Sequence, residues 1–154
     1  MMAPSPDQLL ALLTGILGTI RPAYELLKDI KKAPANKEEL EKELGMVVSL
    51  NDHLEADLKS ILKDKTPQPE SWLKATNDFL LNEDTVASSL STRIRKARGL
   101  EKKRYFYKRC MWALDDKEIS GMITKLHNLR GTLGELLASE HRFVTHESRY
   151  STTV

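Results

Sequence analysis

Residues 40–61 read LEKELGMVVSLNDHLEADLKSI, and the placing of their apolar members decides the fold. Leu40, Leu44, Val47, Leu54, Leu58 and Ile61 recur at alternating steps of four and three, with Asn51 in phase as the polar member. That spacing lines one face of a helix and marks it as a packed bundle helix. Asn36 is placed to cap it, Glu38 and Glu39 suit the positive end of the helix dipole, and Thr66-Pro67-Gln68-Pro69 ends it. Asn51 has two readings: a buried hydrogen bond that fixes register, or an edge position reached by water.

Upstream, Pro4 and Pro6 open the chain and Ser5 or Asp7 can cap a first helix. Leu9, Leu10, Leu12, Leu13, Ile16, Leu17 and Ile20 then cover nearly every side of it. A helix apolar all round is either enclosed by neighbours or enters lipid. Pro22 interrupts the pattern, which resumes with Tyr24, Leu26, Leu27 and Ile30, so the expectation is one kinked helix or two in series ending before Pro34. The uncharged run from Gln8 to Ile20 is short of the roughly 18 residues a simple membrane span needs. A signal peptide would place positive charge ahead of that run, where only Asp7 stands. Gly15 with Gly18, and Gly131 with Gly134, read as small residues that let helices approach closely.

Downstream, the pattern predicts a short third helix from Glu70 to about Leu81, carrying Trp72, Leu73, Ala75, Phe79 and Leu80. Asn82 or Asp84 would cap a fourth, with Val86, Leu90, Ile94 and Ala97 on its face. Asp115 with Glu118 forms a capping pattern for the last helix. Its stripe runs Ile119, Met122, Ile123, Leu126, Leu129, Leu133, Leu136, Leu137. The periodicity fades after about Glu140, so residues 1–140 form one domain and 141–154 a flexible tail or linker. The fold class expected is all-α, an up-and-down bundle of four to five helices with a kinked apolar N-terminal helix.

Composition agrees. The protein has 154 residues, 24 Lys+Arg against 22 Asp+Glu, 40% hydrophobic and 30% charged residues, and only 6% aromatics. That is a globular chain of single-domain size, rich in helix formers. A single cysteine, Cys110, excludes an internal disulfide framework or a Cys-rich zinc site. With no Asn-x-Ser/Thr acceptor either, a cytoplasmic chain is the natural reading.

Enzyme chemistry finds no footing. GxGxxG, GxxxxGK[ST] and GxSxG are all absent. His53, His127, His141 and His146 make no HExxH, and no metal or cofactor is expected. Cys110, between Arg109 and Met111, reads as a packed core residue rather than a reactive thiol.

One charged feature rises above background. From Arg93 to Arg109 the chain holds nine Lys and Arg against Glu101 alone, with Tyr105, Phe106 and Tyr107 among them. It reads as a solvated face balanced by the acidic second helix, or as a surface for anionic lipid. Interleaved aromatics also suit single-stranded nucleic acid, but no nucleic-acid-binding motif accompanies them.

Two stretches carry a family resemblance: residues 9–20, LLALLTGILGTI, and residues 108–119, KRCMWALDDKEI, continuing through Leu126 and Leu129 to Arg130. Together they resemble the HeLo-like N-terminal domains of fungal NLR-type (NACHT or STAND) proteins, including the SesA-type group. The resemblance covers most of residues 7–140. It implies a helical bundle that acts as a signalling or cell-death effector, oligomerises, and is recruited from the cytoplasm to the plasma membrane through its N-terminal helix. Leu12, Leu13, Gly15, Ile16, Leu17 and Gly18 would form the membrane or oligomer segment. Arg95, Lys96, Arg98, Lys102, Lys103 and Arg104 would meet anionic headgroups or a partner. Expected partners are a second copy, anionic lipids and an NLR-like partner or parent chain. The alternative is an adaptor bundle without membrane activity; nucleic-acid binding stands third.

Overall fold

The computed structural model describes residues 3–30, 36–102 and 116–152, with side chains described for 3–30, 36–99 and 117–139. Four helices account for nearly all of them: α1 (Pro6–Asp29), α2 (Asn36–Asp64), α3 (Glu70–Lys102) and α4 (Asp116–Thr152). The fold is an all-α bundle with an apolar N-terminal helix, and among the described residues there is no strand. α1 packs on α2 and α3, and α4 packs on α2 and α3, so α1 lies diagonally across from α4 and α2 from α3.

Ion pairs and hydrogen bonds give the directions. Arg21 of α1 pairs with Asp52 of α2, and Tyr24 lies against Gly45, so these helices are antiparallel. Trp72 Nε1 donates to the Leu136 carbonyl at 2.9 Å while Arg93 reaches Glu118 at 3.1 Å, so α3 and α4 are antiparallel too. Between them, five residues carry the chain from α2 across the bundle diagonal to α3. Thr66 N–H closes the end of α2 on the Ile61 carbonyl at 3.1 Å, with Lys65 in the left-handed region at φ 52°.

α1 begins with a reciprocal cap. Gln8 N–H donates to Ser5 Oγ at 3.3 Å and Ser5 N–H to Gln8 Oε1 at 2.9 Å, with Pro6 in the first turn, where its missing N–H costs nothing. The helix then continues through Pro22 to Asp29 rather than dividing in two. Pro22 and Gly18, whose carbonyl the ring deprives of its amide partner, both lie on the exposed side, where water serves instead.

The α2 stripe is buried as read: Leu40, Leu44, Val47, Asn51, Leu54, Leu58 and Ile61. α4 buries Ile119, Met122, Leu126, Leu129, Leu133 and Leu136, with Ile123 and Leu137 packed at the margin. The two helices expected over 70–81 and from 82–84 onward are one. Trp72, Thr76, Phe79, Leu80, Glu83, Ala87, Leu90, Ser91, Ile94 and Ala97 form a single buried stripe with unbroken helical steps. Glu83 holds the position where Asn82 and Asp84 suggested a break, and those two point outward. α4 takes in residues 141–152 of the segment read as a tail. The readings placed on Lys103, Arg104, the aromatics 105–107, Cys110 and Asp115 lie outside the described residues.

Candidate functional site

The residues proposed for the membrane or oligomer segment divide between the two sides of α1. Leu13, Ile16 and Leu17 are fully buried, Leu12 is half-buried, and Gly15 and Gly18 are exposed. The glycines do not seat a neighbouring helix: a Cβ added at Gly15, Gly18, Gly131 or Gly134 would meet nothing within 4 Å. Close approach occurs instead at Gly45, where an added Cβ would sit 3.0 Å from the Tyr24 hydroxyl. Gly45 lies beside the α2 stripe, between Leu44 and Val47, and gave no sequence signal for that role.

The outward face of α1 is unusual for a water-facing surface. It presents Ala11, Thr14, Gly15 and Gly18, and no charge appears until Arg21. Thr14 Oγ1 donates to the Leu10 carbonyl at 2.8 Å, and Thr19 Oγ1 to the Gly15 carbonyl at 3.2 Å. Both hydroxyls are therefore satisfied within the helix, as they must be in an apolar medium. Because α1 is continuous through Pro22, it is long and apolar enough to cross a membrane by length and composition, contrary to the shorter span read from the uncharged run. The core helix of a soluble bundle meets the same criterion, and the inner face of α1 is such a core.

The basic run lies elsewhere. Arg95 and Lys96 are exposed near the end of α3, Arg98 is half-buried, and Arg93 is engaged with Glu118. The side chain of Lys102 and the whole of Lys103 and Arg104 are outside the described residues. Ile20 shares a core layer with Glu83, Ala87 and Leu90, and α1 runs parallel to α3. Leu12 and Arg95 are thus on opposite sides of that layer, about 25 Å apart along the axis at 1.5 Å per residue. The closed bundle does not bring the two proposed sets together.

α3 and α4 are the least closely packed neighbours. They are tied at one end by Trp72 and Leu136 and at the other by Arg93 and Glu118, with a groove between. One part, of about 290 Å³, is lined by Val86, Met122, Lys117 and Lys125; a longer part, of about 680 Å³, by Phe79, Asn82, Thr85 and Asn128. The α2–α4 side is closed by Arg130, which donates to both oxygens of Glu43 at 3.0 and 3.3 Å.

Family models, curated proteins and solved structures were compared with this chain, and none matches.

At the centre of the bundle stands a polar pair. Asn51, 0% exposed, donates from Nδ2 to Glu83 Oε2 at 2.7 Å across the α2–α3 diagonal. Glu83 is 1% exposed. Burial pushes its carboxyl up to about 7; the Asn51 hydrogen bond opposes the shift and Asp84 adds to it. Asn51 therefore takes the buried of its two readings. Its partner went unrecognised because an acid flanked by Asn82 and Asp84 reads as a helix boundary. Among the described residues, no group of three or more His, Cys, Asp or Glu is arranged to hold a metal ion.

Proposed function

We propose that this chain is a HeLo-like signalling or cell-death effector bundle, cytoplasmic at rest, that self-associates and engages the plasma membrane when α1 leaves the bundle. The observation that carries the reading is the outward face of α1, free of charge from Gln8 to Ile20 and with its hydroxyls internally bonded. Once detached, such a helix would be apolar on both faces. Detachment needs a trigger. Leu9, Leu13, Ile16, Leu17, Ile20 and Leu27 are all buried, and exposing them to water costs on the order of 10 kcal/mol before chain entropy is counted. Lipid or a second copy would supply the replacement surface. Arg95, Lys96 and their basic neighbours would hold the far end of the bundle against anionic headgroups, each worth about 1 kcal/mol near the surface. An NLR-like partner or parent chain would deliver the trigger.

The test is dye leakage from anionic vesicles with wild type, Gly18→Ala and Gly18→Glu. Position 18 is exposed with open space around it, so both variants should keep the bundle, checked by circular dichroism. Leu13→Glu or Leu17→Glu would be uninformative, because both side chains are core. Leakage by wild type and Gly18→Ala but not by Gly18→Glu is the expected result. A folded wild type that leaks no vesicle composition sinks the membrane role. The second reading, an adaptor bundle without membrane activity, draws on the α3–α4 groove, whose apolar floor and polar rims suit an amphipathic helix. Concentration-dependent association in sedimentation, without leakage, would favour it.

A further inference from the structure

The Asn51–Glu83 pair is short of a donor. Asn51 Nδ2 is committed to Glu83 Oε2, which leaves Asn51 Oδ1 and Glu83 Oε1 buried with no hydrogen-bond partner. Both are acceptors if Glu83 is ionised, and two acceptors cannot satisfy one another. Thr76 Oγ1, also buried, is two turns away along α3, about 10 Å at 1.5 Å per residue, too far to serve. A carboxylic acid has the O–H that a carboxylate lacks.

Among the described residues, the surroundings offer no substitute. α1 contributes Ile20 to this layer, α2 contributes Leu44 and Val47, and α4 contributes Leu126 and Leu129. On its own helix Glu83 neighbours Asp84, which is exposed and of the same charge. Arg21 pairs with both Asp52 and Glu55 at the α1–α2 surface. Arg130 and His127 engage Glu43 at the α2–α4 surface. Among the described residues, a charged carboxylate here would be buried without a cation; a neutral acid avoids that cost and brings an O–H to a place that holds two unpaired acceptors.

We infer that the Asn51–Glu83 pair is a proton-operated latch, closed when Glu83 carries a proton and released, with loss of that proton, when the bundle opens. In the open chain the carboxyl is hydrated and ionises in the ordinary carboxylate range. Opening at a pH between the two ionisations therefore releases one proton, and rising pH favours it. The sign follows from the folded group holding its proton more tightly than the unfolded one: the unfolding equilibrium constant grows with pH, by up to about tenfold per unit, across the interval between the two ionisations. The latch is a property of the bundle and stands whether or not α1 enters a membrane.

The experiment is urea unfolding of the full chain from pH 5 to pH 8.5, wild type against Glu83→Gln. Glutamine keeps the shape, stays neutral and brings its own N–H donors. The expected result is an unfolding constant that rises at least tenfold more in wild type than in Glu83→Gln over this range. Equal pH profiles would overturn the latch. Should Glu83→Gln fail to fold, a carbon-detected NMR titration of the Glu83 carboxyl in wild type decides the matter. A midpoint near neutrality supports the latch, and one in the ordinary carboxylate range overturns it.

Discussion

α1 and α3 pack side by side, yet they are built on opposite plans. α1 has a purely apolar inner face and an outer face without charge from Gln8 to Ile20. α3 has a charged outer face, and its inner face carries three of the four buried polar residues described: Thr76, Glu83 and Ser91. The fourth, Asn51, reaches Glu83 from α2. Apolar contact is non-directional and can be exchanged for lipid or another apolar surface. A buried hydrogen bond is directional and is lost unless a matching partner replaces it. α1 is thus held by contacts that another apolar surface can replace, while α3 and α2 are held in one register by a contact that resists sliding.

The comparison breaks most readily at Leu13. Leu13→Ala should destabilise the bundle by about 3 kcal/mol, the usual cost of truncating a fully buried leucine. Leu12→Ala, at a half-buried site one residue earlier, should cost clearly less. Urea midpoints at constant m-value measure both. Equal losses would mean that α1 has no fixed inner face.

Glu83 tests the other plan. With its carboxyl raised from 4.5 to about 7, its stabilising effect is fully present below about pH 4.5 and is lost as pH rises through about 7. The loss amounts to about 3 kcal/mol at 1.36 kcal/mol per pKa unit. Glu83→Gln should remove that slope and be the more stable form at pH 8.

These two helices also mark where the sequence could and could not be read. Where every member of a stripe is apolar and the opposite face is polar, as in α4, periodicity located the buried face. α2 was legible too, because Asn51 is flanked by apolar residues in phase. α3 was not, because Glu83 stands between Asn82 and Asp84, and three polar residues in a row look like a helix end. Hydropathy cannot separate a buried acid from an exposed one; only the partner 32 residues away does so. The outward face of α1 misled in the other direction. Leu10 and Leu12 lie at its margins, so the helix read as apolar all round, while its exposed centre is glycine, alanine and threonine.

That exposed centre yields the next prediction. Gly15→Ala and Gly18→Ala each place a methyl in open space, so the gain in helix propensity, about 1 kcal/mol, should appear almost undiminished. Gly45→Ala gains the same propensity but drives a methyl to 3.0–3.2 Å from the Tyr24 ring and hydroxyl. Its net effect should fall below that of Gly18→Ala, by an amount that measures how firmly Tyr24 is held. Thermal midpoints separate the cases, since 1 kcal/mol moves a chain of this size by about 2–4 °C. A Gly45→Ala gain equal to that of Gly18→Ala would show that the α1–α2 contact is loose.

The smallest effect is expected at Lys65, where α2 hands the chain across the diagonal to α3. Its φ of 52° lies in the left-handed region, and the Thr66 N–H to Ile61 carbonyl bond closes the turn only while that conformation holds. A side chain there costs roughly 1 kcal/mol that glycine avoids, while glycine adds entropy to the unfolded chain. Lys65→Gly should therefore stabilise by only about 0.5 kcal/mol, the difference between those two effects. The placement matters more than the size. This turn sets where α3 starts, and so whether Glu83 arrives opposite Asn51. Lys65→Pro should do what Lys65→Gly does not. Proline's φ is fixed near −65°, so the turn must reorganise. The Glu83-dependent pH slope should then shrink along with stability. A slope unchanged in Lys65→Pro would mean that the central hydrogen bond sets the register of α3 by itself, and that the turn merely follows.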